Sequence, residues 1–353
     1  VTRARAVLLR ATVLTIACST LVTALSVAPA LAAGHGASAV ENCTGTAPVV
    51  CHFDVPPGTY DVTAVLGGAQ AGSTVVTAEA RRVMLAATAT GAGEQVRESF
   101  TVNVRDPEGQ PTRPGGSPGL DLYFGGQVPR LSDLTVTPSD HAQLFLAGDS
   151  TVCDQETAPY TGWGQMLPQF FTQGLSVANH ADSGESAGSF LANSRLFPAM
   201  RPLIGDGDVV LIQFGHNDKQ TTAQSFRTSL NGLIDGVRAR GGTPVLVTPI
   251  VRRWFNTDGT LNNGTALHVN ALGVNLPAEM RRLAAERGVA LIDLTQLTRQ
   301  RVEELGPQAS RALYLTNEAG DNTHTSERGA TEFSHLVLRQ LAAQNLIPAE
   351  LIR

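Results

Sequence analysis

Residues 143–151 read Gln143-Leu144-Phe145-Leu146-Ala147-Gly148-Asp149-Ser150-Thr151. A short apolar run that stops on glycine and small polar residues is the pattern of a strand buried on both faces and ended by a sharp turn. Further apolar runs follow at Leu175 to Asn179, Val209 to Phe214, Pro244 to Thr248 and Ala290 to Asp293. Between them lie longer segments of helical period. Phe226, Leu230, Leu233, Ile234 and Val237 recur at three and four, which predicts an amphipathic helix over Thr222 to Arg240, stopped by Gly241-Gly242. A last helix is expected from about Gly329 to Gln344. Strands alternating with helices predict an α/β fold, a parallel sheet with helices on its faces.

Upstream, from Val49 to Val136, the pattern changes to short runs of alternating apolar and polar residues, at Tyr60 to Val65, Thr74 to Ala80, Phe100 to Val104, Leu120 to Phe124 and Leu131 to Val136. With turns such as Pro56-Pro57-Gly58 and Gly67-Gly68, this predicts a small antiparallel sandwich of seven or eight strands. The Pro- and Gly-rich stretch Asp106 to Gly119 reads as a long loop between two of those strands. The sandwich either binds carbohydrate, with Tyr60 and Tyr123 as stacking faces, or simply packs on the second domain.

At the start of the sequence, Arg3, Arg5 and Arg10 precede an apolar run from Ala11 to Val27 and the small-residue triplet Ala30-Leu31-Ala32. That is the pattern of a secretory signal cleaved after Ala32. The expected organisation is signal peptide 1–32, accessory β-sandwich 33–140 and catalytic domain 141–353, in a secreted, extracellular protein. Removing three arginines takes the net charge from −5 to about −8. That acidity, with aromatic residues at 5%, argues against nucleic acid as a partner. A single lysine, Lys219, argues against polybasic membrane tethering, and no membrane association is expected after signal cleavage. Export permits a disulfide between Cys43 and Cys51, leaving Cys153 as a buried, unreactive thiol.

In an open parallel sheet, ligands bind beyond the carboxyl ends of the strands. Polar clusters sit at three such ends: Gly148 to Thr151, Asn179 to Gly184, and Gly215 to Asp218. A fourth, Asp321-Asn322-Thr323-His324, precedes the last helix. Acyl transfer needs a nucleophile, a base, a group that orients the base, and donors for the developing oxyanion. Ser150, His324 and Asp321 fit the first three roles. The backbone N–H groups of Ser150 and Gly184 and the side-chain amide of Asn217 fit the last. Such chemistry needs neither metal nor cofactor, because water can attack the acyl-enzyme with His324 as base.

At these residues the chain resembles the SGNH, or GDSL-type, hydrolases, whose blocks carry the Ser, Gly, Asn and His matched by Ser150, Gly184, Asn217 and His324. More narrowly, it resembles the rhamnogalacturonan acetylesterases. That likeness rests on Leu146 to Thr151, Gly162-Trp163-Gly164, Phe214 to Asp218, and Asp321 to Ser326. The resemblance implies a flavodoxin-like three-layer fold and removal of acetyl groups from galacturonate in pectin, with acetylated plant cell-wall polysaccharide as the partner. Fungal members read Gly-Arg-Ser-Ala-Arg-Ser at the second block, where this chain has Gly184-Glu185-Ser186-Ala187-Gly188-Ser189. With both arginines missing, Arg252 and Arg253, followed by Trp254, are the candidates for binding an anionic sugar.

Two alternatives stay open. Another acetylated polysaccharide or small ester is one. The other is a nucleophile elbow of the α/β-hydrolases, since Gly184 to Gly188 also fits Gly-x-Ser-x-Gly and would make Ser186 the attacking residue. Against the elbow, polar Asp182 and Ser183 separate it from the preceding strand, and no His-Gly-Gly run is present to form its oxyanion hole.

Overall fold

Strands β1 (Cys43–Thr44), β2 (Val49–Phe53), β3 (Gly58–Gly67), β4 (Gly72–Ala78), β5 (Arg82–Thr90), β6 (Gln95–Val104), β7 (Leu120–Val128) and β8 (Leu131–Ser139) build an antiparallel sandwich. The computed structural model describes residues 38–113 and 115–353; the expected signal, residues 1–32, lies outside them. One sheet has the order β1-β2-β7-β4-β5 and the other β6-β3-β8. Tyr60, Val62, Ala64 and Leu66 of β3, with Phe100 and Val102 beside them on β6, pack with Leu120, Leu122 and Phe124 of β7 in the core between the sheets. Each buried Val, Leu or Phe among them contributes about 1.5–3 kcal/mol through burial. Cys43 and Cys51, paired across β1 and β2, form a disulfide. Tyr60 is 5% exposed with its hydroxyl donating to the Pro56 carbonyl, so the expectation that it offers a sugar-stacking face is corrected.

Strand β5 was not legible as a strand because its first residues, Arg82 to Leu85, are buried without alternation. Its outer face is covered too: Val83 packs against Met166 and Ala330 of the following half. The described residues accordingly form one compact unit.

In that second half, β9 (Gln143–Ala147), β10 (Ser176–Asn179), β11 (Val209–Ile212), β12 (Thr243–Val247) and β13 (Ala290–Ile292) form a wholly parallel sheet ordered β10-β9-β11-β12-β13. The helices are α1 (Trp163–Met166), α2 (Ala187–Ala192), α3 (Phe197–Met200), α4 (Ala223–Arg238), α5 (Leu276–Arg287), α6 (Leu294–Ala309), α7 (Thr316–Ala319) and α8 (Glu327–Ala343). Alternate residues of β9 separate the two cores. Leu144 and Leu146 pack with Trp163, Val302 and Phe333 on one side, and Phe145 and Ala147 with Phe226, Leu230 and Met280 on the other. This is the flavodoxin-like three-layer arrangement, and its order reverses beside β9.

Helix α4 begins one residue after Thr222, whose hydroxyl accepts the Ser225 N–H at 3.1 Å. Helix α8 begins earlier than Gly329, because Ser326 caps it by accepting the Gly329 N–H at 3.2 Å. Gly329 is no boundary. A β-carbon there would run into the Leu313 carbonyl, so glycine lets α8 approach that segment closely. Among the described residues, no helix is long and apolar enough to cross a membrane.

Candidate active site

Beyond the carboxyl end of β9, the chain turns through Gly148-Asp149-Ser150-Thr151. Asp149 is fully buried and holds the turn: its Oδ1 accepts the N–H and the hydroxyl of Thr151 at 3.0 and 2.8 Å, and its backbone carbonyl accepts the Val152 N–H at 2.9 Å. Gly148 is required because a β-carbon would meet Val152 Cγ2 at 2.6 Å. The turn aims the Ser150 hydroxyl at His324, whose Nε2 lies 2.9 Å from Oγ.

The loop before α8 is fixed by backbone bonds between Leu315 and both Asp321 and His324. His324 Nδ1 donates to Asp321 Oδ2 at 2.7 Å, leaving Nε2 to accept from Ser150. Asp321 Oδ1 accepts the N–H groups of Thr323 and His324 at 2.7 and 3.0 Å. Burial opposes the charge on Asp321, but these bonds outweigh it and hold the carboxyl below the usual carboxylate range. Tyr160 meets the His324 ring edge-on, with centroids 5.4 Å apart.

Ser150, Gly184, Asn217 and His324 share the wall of one cavity of about 450 Å³, together with Gln110, Arg113, Gln155, Glu156, Thr157, Tyr160 and Ser183. Gly184 has φ +89°, and a β-carbon there would point into open space. Asn217 follows β11 and donates one amide hydrogen to the Glu185 carbonyl at 3.1 Å. His216 Nδ1 donates to Asp149 Oδ2 at 3.2 Å. Burial holds the His216 ring below its ordinary pKa. Burial would raise Asp149, but the bonds from His216 and Thr151 keep its carboxyl low.

Ser186 has a different task. It caps α2, accepting the Ser189 N–H at 3.1 Å while Ser189 Oγ accepts the Ser186 N–H at 2.9 Å. Its hydroxyl lies in this capping box and not on the cavity wall, which corrects the elbow alternative. Cys153 is fully buried with its thiol pushed up by burial, 3.4 Å from the Ser183 hydroxyl.

The expectation for Arg253 is also corrected. It is 9% exposed, with its guanidinium donating to Ser310 Oγ at 3.0 Å, to Asn322 Oδ1 at 3.1 Å and to the Pro307 carbonyl. With three of its five N–H donors engaged and the side chain buried, it holds the loop and is not presented to a substrate. Arg252 is half-buried and donates to the His216 carbonyl at 2.8 Å, bracing the Asn217 segment from outside the cavity. Trp254 is 47% exposed and also lies off the cavity wall. Sequence reasoning missed Gln110, Arg113 and Glu156. For Gln110 and Arg113 the one signal was a loop of some length without strand pattern at Asp106 to Gly119, since long loops in compact domains are usually functional; nothing local marked Glu156.

The GDSL-like Lipase/Acylhydrolase family model matches residues 146–331. Rhamnogalacturonan acetylesterase RhgT of Bacillus subtilis (strain 168) is 39% identical over 211 residues, 55% of this chain and 87% of that protein. The uncharacterized esterase YxiM of the same organism is 30% identical over 305 residues, 84% of this chain and 74% of that protein. The crystal structure of YxiM superposes with a TM-score of 0.53 at 25% identity, covering 85% of this chain and 81% of that one. These matches, on a parallel sheet with its polar clusters at the strand ends, show that the chain belongs to the GDSL-like lipase/acylhydrolase family and is a carboxylic ester hydrolase.

Proposed function

We propose that the chain is a secreted serine esterase that removes acetyl groups from acetylated rhamnogalacturonan. The observation that carries the mechanism is the line Asp321, His324, Ser150, closed by hydrogen bonds of 2.7 and 2.9 Å on a wall shared with Gly184 and Asn217. Ser150 Oγ attacks the acetyl carbonyl while His324 Nε2 takes its proton. The N–H groups of Ser150 and Gly184 and the Asn217 amide stabilise the oxyanion. As the intermediate collapses, the sugar oxygen leaves with the proton from His324. Water then attacks the acetyl-enzyme, giving its proton to His324, and acetate departs as Ser150 recovers its hydrogen.

The substrate part of the proposal leans on relatives named rhamnogalacturonan acetylesterase, at 39% identity in the case of RhgT. Export is supported by the basic and apolar N-terminal sequence and by the Cys43–Cys51 disulfide, a bond that persists in oxidising compartments. Acetate release from acetylated rhamnogalacturonan fragments, compared with acetylated xylan and a small acetyl ester, tests the reading. A chain that deacetylates xylan and leaves pectin fragments untouched would overturn it.

A further inference from the structure

The catalytic half leaves its cavity short of positive charge, because Arg253 is engaged and Arg252 lies outside. The sandwich supplies it. Between β6 and β7 the loop crosses to the hydrolase half and is tied there at successive points. Arg105 donates to Asp154 Oδ2 at 3.2 Å, Gln110 Oε1 accepts the Ser183 N–H at 2.7 Å, and Thr112 donates its N–H and hydroxyl to Asp182 at 2.7 and 2.9 Å. Arg195 Nη1 closes the series by donating to the Thr112 carbonyl at 2.9 Å.

Arg113 follows directly on this anchored stretch. Its own N–H donates to the Gln110 carbonyl at 3.0 Å, a turn that lifts its side chain onto the wall of the cavity containing Ser150 and His324. Arg113 is solvent-exposed there, and among the described residues Glu156 is the other Arg, Lys, Asp or Glu on that wall. No ion pair joins Arg113 to Glu156 among the described residues.

We propose that Arg113, delivered by the sandwich loop, binds a carboxylate of an acidic sugar beside the acetylated residue, so that the accessory half sets the charge preference of the esterase. This rests on the proposed polyuronide substrate. A planar guanidinium can bond a carboxylate through two parallel N–H groups. An anchored backbone also lowers the ordering cost of binding. Glu156, whose carboxylate lies against Gly109 and Gly115 of the same loop, opposes that anion, so the two residues act in opposite directions on one specificity.

The test compares kcat/KM for acetylated rhamnogalacturonan oligosaccharides and for neutral acetylated xylo-oligosaccharides, using the full chain and its Arg113→Gln, Arg113→Lys and Glu156→Gln variants. The expected result is a fall of about 10- to 100-fold in the anionic-to-neutral ratio for Arg113→Gln, carried by KM, since a charge-assisted bond is lost. Arg113→Lys should recover part of it and Glu156→Gln should raise it. Added salt should lower the ratio for the parent protein and barely alter it for Arg113→Gln. A parent protein that prefers anionic substrate, with a ratio unchanged in Arg113→Gln, overturns the role of Arg113 alone. A parent protein with no anionic preference overturns the pectin reading, and this proposal with it.

Discussion

Asp149 and His216 are joined by a hydrogen bond of 3.2 Å, and each immediately precedes a residue assigned to the chemistry, Ser150 and Asn217 respectively. One contact therefore sets the distance between the proposed nucleophile and an oxyanion donor. Asp149→Ala should lower kcat by about 10- to 100-fold with KM little changed, because small misplacements of reacting groups are costly. The depressed carboxyl also has a consequence for stability. Its contribution is complete above the unfolded value of about 3.9 and is lost as pH falls through the lower folded value. Asp149→Asn should flatten the decline in Tm below about pH 4; an unchanged acid decline would count against the assignment.

Ser150→Ala should reduce kcat by about 10³ to 10⁶, since nucleophile and base act as one unit. Ser186→Ala should instead lose about 1 kcal/mol of stability by uncapping α2 and keep turnover within a few-fold. An organophosphate should label the peptide containing Ser150. Labelling at Ser186 would reverse the assignment.

Asn217→Ala should lower kcat by about 10² to 10³ at near-constant KM, because the amide matters once charge develops on the carbonyl oxygen. Its bond to the Glu185 carbonyl allows a purely structural role, and melting curves measured beside kinetics separate the two. Lower Tm with normal turnover per folded molecule would show that the amide only holds its loop.

Glu79 lies in the sandwich, 3% exposed, and burial pushes its carboxyl up to about 8, with Arg82 acting in the opposite direction. Between the unfolded value and about 8 the folded state binds more protons, so stability falls as pH rises through that window. Glu79→Gln removes the titration and should gain stability on the order of a few kcal/mol at pH 8.5 relative to the parent, with less effect at pH 5. Equal pH slopes in the two proteins would refute this.

The sheet and the four polar clusters were legible because their causes are local. Strand β9 is buried on both faces and so reads as an uninterrupted apolar run, and the turn after it needs Gly148 for room. What escaped has causes distant in sequence. Arg253 looks like a surface arginine until Ser310 and Asn322 fold against it. The loop after β6 reads as a connection, and only its bonds to Asp182 and Ser183 make it part of the cavity. Strand β5 was hidden because a strand covered from both sides loses the alternation that identifies it.

That covered strand binds the fates of the two halves. Arg82 of β5 is 1% exposed and lies with Arg105 against Asp154, whose other oxygen accepts from Asn179 at 2.7 Å. A hydrolase half cut before Gln143 would meet water with Met166 and Ala330 uncovered and Asp154 stripped of both arginines. In this chain the sandwich is thus part of the hydrolase's own packing, and its removal is expected to lower the melting temperature of the catalytic half as well as to strip the loop from its cavity.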